Sequence, residues 1–495
     1  MTSDQNKEGL ISKLIEWSIN NKFLVIIFTV ALIALGIWAL LTTKVDAIPD
    51  LSDVQVIIMS EYEGQGPQIV EDQVTYPLTT KMLSVPFAKD VRGFSMFGIS
   101  MVYVTFEDGT DIYWARSRVL EYLSTIQAQM PAGVKMQLGP DATGLGWVYQ
   151  YVLNSDKHDL QELRSIQDYF LRYELNSIEG VSEVASVGGF VKQYQVNIDP
   201  TKLTYYNIPL QMVEMAIKRS NNDVGGRVIE MGEMEYMVRA LGYIKNVDDL
   251  KNVAIGNSPK TGAPIYLRDI ATVDIGPELR RGLADWNGEG ETVGGIIVIR
   301  YGENALFVIN KVKERLTELK KSLPDDIKIE VAYDRSTLIE SAIDNLKEKL
   351  FEETLIVALV IIAFLLHIRS SFVAIFTLPT AVLFSFLIMR LQGINANIMS
   401  LGGIAIAIGA MVDASIVMVE NAATHLSAEK DKPLSERKSH WTVILESGKE
   451  VGPSIFYSLL VITVSFLPVF TLEQQEGRMF KPLAFTKTYA MAGAA

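Results

Sequence analysis

The stretch 23–41, FLVIIFTVALIALGIWALL, runs for about 19 residues without a charge, enough for a helix to cross a bilayer at 1.5 Å per residue. A long region of mixed polarity follows. Apolar runs then return at 355–368, 372–391, 398–420 and 454–472, so the pattern predicts five membrane-spanning helices. A sixth apolar pattern starts near Leu483, and the closing TYAMAGAA does not complete it. The expectation is a chain cut inside or just before a further span.

Between the first and second spans the periodicity alternates between that of strands and that of helices. An extended run at 54–61 precedes helical spacing at Val70, Val74, Leu78 and Met82, strands near 91–96 and 100–106, a helix carrying Ala115, Val119, Tyr122 and Ile126, and a strand near 134–138. This β-α-β-β-α-β order predicts a ferredoxin-like unit at 42–139. The order then repeats in two pieces. Strand 148–153, a helix at 160–175 behind Asp159 and strand 181–187 form one half; strand 294–300, a helix at 305–323 behind Asn304 and strand 327–333 form the other. The glycines at 188–189 and Gly276-Pro277 bound what lies between, which predicts an inserted subdomain at 188–272 within a split second unit, 140–187 and 273–337. The fold class expected is therefore an α+β membrane protein, a transmembrane helical bundle carrying a large part built of such units. Residues 338–495 hold the later spans, with an amphipathic segment at 425–450.

Composition sharpens the class. Of 495 residues 49% are hydrophobic, the formal net charge is -13, and there is no cysteine. An acidic chain is a poor partner for nucleic acid. Residues 1–22 form an amphipathic lead-in with Leu10, Leu14 and Trp17 beside Lys13, and the first apolar run is longer than that of a cleaved signal peptide. His367 and Arg369 lie between spans two and three; Lys430, Lys432, Arg437, Lys438 and Lys449 lie between spans four and five; the loop QGINAN after span three is uncharged. Basic loops mark the cytoplasmic side, so roughly 310 residues between spans one and two fall outside the cytoplasm. Arg390, at the outer end of span three, runs against this rule.

Span four, IMSLGGIAIAIGAMVDASIVMVE, carries Asp413 deep in its apolar run. A carboxylate at mid-membrane costs about 2.5–3.5 kcal/mol on insertion scales, so it points to transported protons or ions. At about 100° per residue, Gly402, Gly409 and Glu420 fall within roughly 40° of Asp413, a face that lets another helix approach closely. Glu420, beside Asn421 at the end of the run, fits a helix-end acid as well as a second relay group.

The chain has 18 methionines. Met399, Met411 and Met418 lie in span four: the last two are seven apart, on the side away from Asp413, while Met399 sits nearer the acid face and roughly 21 Å along the axis. Thioethers suit Cu(I) and Ag(I) and do not titrate, yet methionine is also ordinary apolar filler. In MGEMEYM, read as one strand, Met234 points away from Met231 and Met237, so the cluster dissolves into packing or surface. The four histidines and acidic pairs such as Asp325-Asp326 show no ligand spacing and read as solvated turns. No GxxxxGK[ST] motif offers ATP as an energy source.

The runs DAIPDLSDVQVIIMSEYEGQGPQIVEDQVTYPL at 46–78, GPELRRGLADWNGEGE at 276–291 and NIMSLGGIAIAIGAMVDASIVMVEN at 397–421 resemble the heavy-metal branch of resistance-nodulation-division (RND) efflux pumps, specifically its CusA-like members that export monovalent copper and silver. The resemblance covers essentially the whole chain and the first half of the family's length. It implies homotrimers in a bacterial inner membrane with a large periplasmic part, a periplasmic adaptor, an outer-membrane channel and proton antiport through Asp413. The expected cargo is Cu(I) or Ag(I) and protons, with no permanently bound cofactor. It also implies a metal relay through Met399, Met411 and Met418, with the main methionine site in the second half. Drug-exporting relatives carry two adjacent aspartates where this chain has Asp413-Ala414, and divalent-metal relatives a further acid upstream; both differences favour the monovalent branch. The alternatives are export of divalent metals or organic solutes and, in another class, an accessory factor of protein translocation with the same six-span unit.

Overall fold

The computed structural model describes residues 9–258, 261–280, 282–365, 368–430, 432–433 and 436–495. Strands β1 (Gln55–Glu61), β2 (Ala88–Met96), β3 (Ile99–Phe106) and β4 (Lys135–Leu138) form an antiparallel sheet in the order β2-β3-β1-β4. Alternation along β1 turns Val56, Ile58 and Ser60 inward. A helical stretch from Pro67 to Met82, widened to a π-turn at Glu71–Thr75, and the helix Ile112–Ile126 cover one face, with Val74, Leu78, Met82, Ala115, Val119 and Ile126 in one core. Asp111 caps the second helix by accepting from the Trp114 N–H at 2.7 Å.

The second unit uses β5 (Trp147–Asn154) and β6 (Val181–Gly188), then the strands that return after the insertion. At Gly188 the chain leaves the sheet with φ +71°, and a Cβ there would lie 2.1 Å from the Thr292 carbonyl oxygen, so only glycine fits the exit. Within the insertion, β7 (Lys192–Ile198) pairs along its length with β12 (Ala271–Pro277), so residues 273–277 pair with the insertion rather than with the second sheet. Between them lie β8 (Val224–Met231), β9 (Met234–Ala240), β10 (Ala254–Asn257) and β11 (Pro264–Tyr266), and the insertion has its own core around Val213, Leu250, Ile255, Ile265, Leu267 and Ile270. Strands β13 (Val293–Ile299) and β14 (Lys328–Asp334) close the second sheet as β14-β5-β13-β6. Position for position this is the order of the first sheet. Asp159 and Asn304 cap the helices that follow them, as their spacing predicts.

The methionine-rich segment departs from its sequence reading. It is a hairpin and not one strand: Gly232 and Glu233 both take positive φ, the pairing that a two-residue turn requires, and Met231 stands opposite Met234 with Val228 opposite Met237. Every residue of both strands is exposed.

The helical part comprises Leu10–Asn20, Lys22–Thr42, Arg335–Leu365, Ile368–Gln392, Ile398–Lys430, His440–Val464 and Gln474–Ala494. Among the described residues, Lys22–Thr42, Ile398–Lys430 and His440–Thr471 are long and apolar enough to cross a membrane, and Phe376–Gln392 is a shorter apolar helix. The end of the run expected at 355–368 includes residues 366–367, and with them His367, which lie outside the described residues. Lys22–Thr42 buries Gly36 and Ala39 but leaves Phe23, Phe28 and Leu41 exposed, an apolar surface that calls for lipid or another protein segment. Gly36 lets it cross Ile368–Gln392 closely, since a Cβ there would sit 2.6 Å from Leu383 Cβ.

Candidate functional site

The acid-bearing helix, Ile398–Lys430, spans about 50 Å at 1.5 Å per residue. Asn397 and Ser400 start it reciprocally: Asn397 Oδ1 accepts from the Ser400 N–H at 2.9 Å and Ser400 Oγ accepts from the Asn397 N–H at 2.7 Å. The segment entering it is paired to the linker that leaves the first apolar helix. The Ala396 N–H donates to the Lys44 carbonyl (2.9 Å), the Asp46 N–H to the Ala396 carbonyl (2.9 Å) and the Ile398 N–H to the Ala47 carbonyl (3.0 Å). That linker is pinned from two more sides. Buried Arg335 donates to the Trp147 carbonyl at 2.9 Å and faces Asp46 at 3.5 Å; burial raises the Asp46 carboxyl, with Arg335 pulling the other way. Arg478 of helix Gln474–Ala494 donates to the carbonyls of Leu51 (3.1 Å) and Ser52 (2.5 Å) and pairs with Asp53 at 2.9 Å and with Asp108. The start of the acid-bearing helix is thus tied by backbone hydrogen bonds to the linker that leads into β1.

Asp413 is exposed, and so is Glu420. A Cβ added at Gly402 or Gly409 would meet nothing within 4 Å; Gly402 lines a crevice beside helix Arg335–Leu365, and from Gly409 to Glu420 the acid face predicted to receive a helix is open among the described residues. The close approach occurs one residue away instead. A Cβ at Gly403 would fall 2.3 Å from Thr486 Oγ1 and 2.4 Å from the Leu483 carbonyl, which brings helix Gln474–Ala494 onto the side. Thr486 then donates to the Ser400 carbonyl at 2.8 Å, and its own carbonyl accepts from Ser385 at 3.2 Å.

The three methionines do not converge. Met411 is fully buried on the side away from the acid, in a cluster with Leu378, Ala407, Leu459 and Met491. Met418 is half-buried with its methyl beside Gly452, and Met399 is half-buried near the helix start. Sequence reasoning missed Met491, and it missed Lys487, which is buried with Nζ 3.1 Å above the Phe466 ring. A lysine within the apolar pattern after Leu483 was the available signal for the latter. Asn421 was also missed as a lock: its amide donates to the Ser447 carbonyl and Oγ at 3.2 and 2.9 Å. Asp326, read as a solvated turn, accepts from Ser155 Oγ at 2.5 Å and pairs with His158 at 2.8 Å, and these partners hold its carboxyl below the usual range.

A profile of the AcrB/AcrD/AcrF family matches residues 14–495. The chain belongs to that family. Within it, the chain is similar to the cation efflux system protein CusA of Escherichia coli (strain K12), 58% identical over 491 residues that make up 97% of this chain and 47% of that protein. Similarity to the putative cation efflux system protein SilA of Salmonella typhimurium is 56% over the same shares. The cobalt-zinc-cadmium resistance protein CzcA of Cupriavidus metallidurans (strain ATCC 43123 / DSM 2839 / NBRC 102507 / CH34) is 34% identical, over 98% of this chain and 46% of its own length. A crystal structure of a heavy metal efflux pump superposes with a TM-score of 0.83 at 30% identity, covering 97% of this chain and 47% of that one. The chain spans about half the length of the curated relatives it matches. The structure shows the family's combination of apolar helices with a large α/β part.

Proposed function

We propose that this chain forms the N-terminal half of a proton-driven exporter of Cu(I) and Ag(I), working as a homotrimer in a bacterial inner membrane with a periplasmic adaptor and an outer-membrane channel. The observation that carries this reading is Asp413, a carboxylate with apolar residues on both sides in helix Ile398–Lys430, in a chain 56–58% identical to two proteins named for cation efflux. Asp413 holds and releases the proton, Glu420 stands on the same face one apolar stretch further on, and the paired linker at 44–47 transmits the resulting helix movement to the α/β units. Those units, 42–139 and 140–187 with 278–337, act as ferredoxin-like porter subdomains, and 188–277, extended by the strand that pairs back onto β7, as the docking insertion. The acid's open face receives a helix from the remainder of the full-length pump. Met399, Met411 and Met418 offer sulfur to the cargo.

The test uses the full-length pump in sealed vesicles with an imposed pH gradient. Ag(I) or Cu(I) is expected to accelerate proton discharge and to accumulate against its own gradient, with Zn(II) inactive. Equal response to Zn(II) would transfer the reading to divalent export, and no coupling of any metal to protons would overturn antiport.

The exposed hairpin β8–β9 supports the trimer. An isolated two-stranded hairpin is marginal in water, and this one shows Ile229, Met231, Met234 and Tyr236 on one face and Val228 and Met237 on the other, so it is built to be gripped from both sides. Met234→Asp with Met237→Asp is expected to convert trimer to monomer in light scattering while the monomer's unfolding free energy moves by less than about 0.5 kcal/mol. Trimers of unchanged stability would remove the hairpin from the interface.

A further inference from the structure

A cavity of about 670 Å³ lies where the helical part meets the α/β part, under the ends of Lys22–Thr42 and Ile368–Gln392 and beside the start of Gln474–Ala494. Five cations line it, Lys44, Arg300, Arg390, Arg478 and Lys481, against three carboxylates, Asp46, Asp50 and Glu303. Three of the cations already have partners. Lys44 Nζ donates to the Gly302 carbonyl at 2.5 Å, Arg300 faces Asp141 at 3.7 Å, and Arg478 is taken up by the linker and Asp53. Asp46 is likewise turned to Arg335, and Asp50 accepts from the Ser52 N–H at 2.9 Å. Arg390, Lys481 and Glu303 remain, two cations against one carboxylate: among the described residues neither cation has a carboxylate partner, and both come from the helical side of the cavity, whereas Glu303 lies on the other side beside Arg300–Gly302.

We infer that this cavity binds the phosphate of an anionic phospholipid from the outer leaflet, held between Arg390 and Lys481. A guanidinium presents two parallel N–H donors to a phosphate and an ammonium adds a point charge, so the pair suits one phosphodiester. The position selects a lipid over a free anion. Arg390 sits in the last turn of its helix with its guanidinium 5.7 Å from the ring of Trp38, an aromatic and basic pairing typical of the membrane–water interface. Leu41 and Leu391, 79% and 70% exposed, flank the cavity on the apolar helices and give acyl chains a surface to follow, while Pro482 and Phe485 make the inner wall apolar. The surplus positive charge disfavours a cationic cargo there. A bound phosphate also supplies the countercharge that Arg390 otherwise lacks on the side of the membrane where basic residues are sparse.

The inference rests on the proposed placement of this end of the bundle at the periplasmic surface, which is checked separately. In an otherwise cysteine-free full-length pump, Asn395→Cys is expected to react with a membrane-impermeant maleimide added outside spheroplasts; protection there would overturn the inference through the placement alone. For the lipid, the full-length trimer in detergent is titrated with dioleoyl phosphatidylglycerol or dioleoyl phosphatidylcholine and read by native mass spectrometry. The expected result is preferential retention of phosphatidylglycerol, one per protomer. In Arg390→Gln/Lys481→Gln retention is expected to fall at least about tenfold, to the level of phosphatidylcholine. Lys349→Gln, at an exposed ion pair elsewhere, is expected to leave retention unchanged. Arg390→Lys, which keeps the charge and loses the fork, is expected to fall between, and it carries the comparison should the double variant not assemble. Undiminished retention in either assembled variant overturns the site. Displacement of the lipid by millimolar glycerol 3-phosphate would overturn the lipid assignment in favour of a free-anion site.

Discussion

In the full-length pump, Asp413→Asn is expected to abolish metal resistance and metal-coupled proton flux, a loss of at least about a hundredfold, in line with removal of an obligatory proton carrier. Asparagine has nearly the volume of aspartate and hydrogen-bonds through similar atoms, but it does not ionise at any accessible pH and so carries no proton charge. The substitution is also gentle on the fold. Asp413 is exposed in this chain and no described residue forms an ion pair with it, so neutralising it orphans no internal partner and relieves part of the cost of an ionised acid in the membrane. Expression, trimer formation and lipid binding at Arg390 should therefore persist. The measurement is proton release on Ag(I) addition to vesicles holding equal amounts of variant and parent trimer. Metal-coupled flux at the parental rate would show that Asp413 is a passive acid and would pass the relay role to Glu420 or to a group outside this chain.

Much of the architecture was legible because local periodicity and burial agree. Val70, Val74, Leu78 and Met82 were spaced as one helical face, and all four are fully buried. The strands and helices around the second sheet were legible for the same reason, since Asp159 and Asn304 cap helices and Gly188, with positive φ, turns the chain out of β6. The hairpin was not, because a two-residue turn at Gly232-Glu233 occupies too little sequence to interrupt a strand pattern, although glycine itself was the cue. The tie between residues 44–47 and 396–398 was invisible for a different reason. It is made by backbone groups far apart in the chain, and backbone groups carry no sequence signature.

The candidate site was legible as a helix and illegible as a neighbourhood. Helical geometry placed Gly402, Gly409 and Asp413 on one face, but it did not say which face the chain's own helices would cover. They cover the flank at Gly403, where Thr486 of helix Gln474–Ala494 closes in, and the opposite side at Met411. The partition follows from burial: a face carrying two carboxylates is the least favourable to pack against aliphatic neighbours, so apolar contacts gather on the other side.

That partition makes replacement of the span-four methionines the most discriminating experiment. Met→Ile at Met399, Met411 and Met418 keeps apolar volume nearly constant and removes sulfur, and volume-conserving swaps of this kind cost less than about 1.5 kcal/mol each. If sulfur carries the cargo, Ag(I) flux in vesicles should fall at least about tenfold in the triple variant, because isoleucine offers a soft cation no donor. Proton binding at Asp413 should be retained and serves as the internal control. The single variants then separate transport from packing. Met411 is fully buried and packed by Leu459 and Met491, so Met411→Ile should show the largest shift in unfolding midpoint of the three. Met399 and Met418 are half-buried and so less tightly enclosed than Met411, and their variants should lose flux with little loss of stability. Losses of flux that track stability, greatest at Met411, would mark the sulfurs as packing. Parental flux in the triple variant would confine metal handling to the α/β units and to the remainder of the pump, leaving the acid-bearing helix to move protons alone.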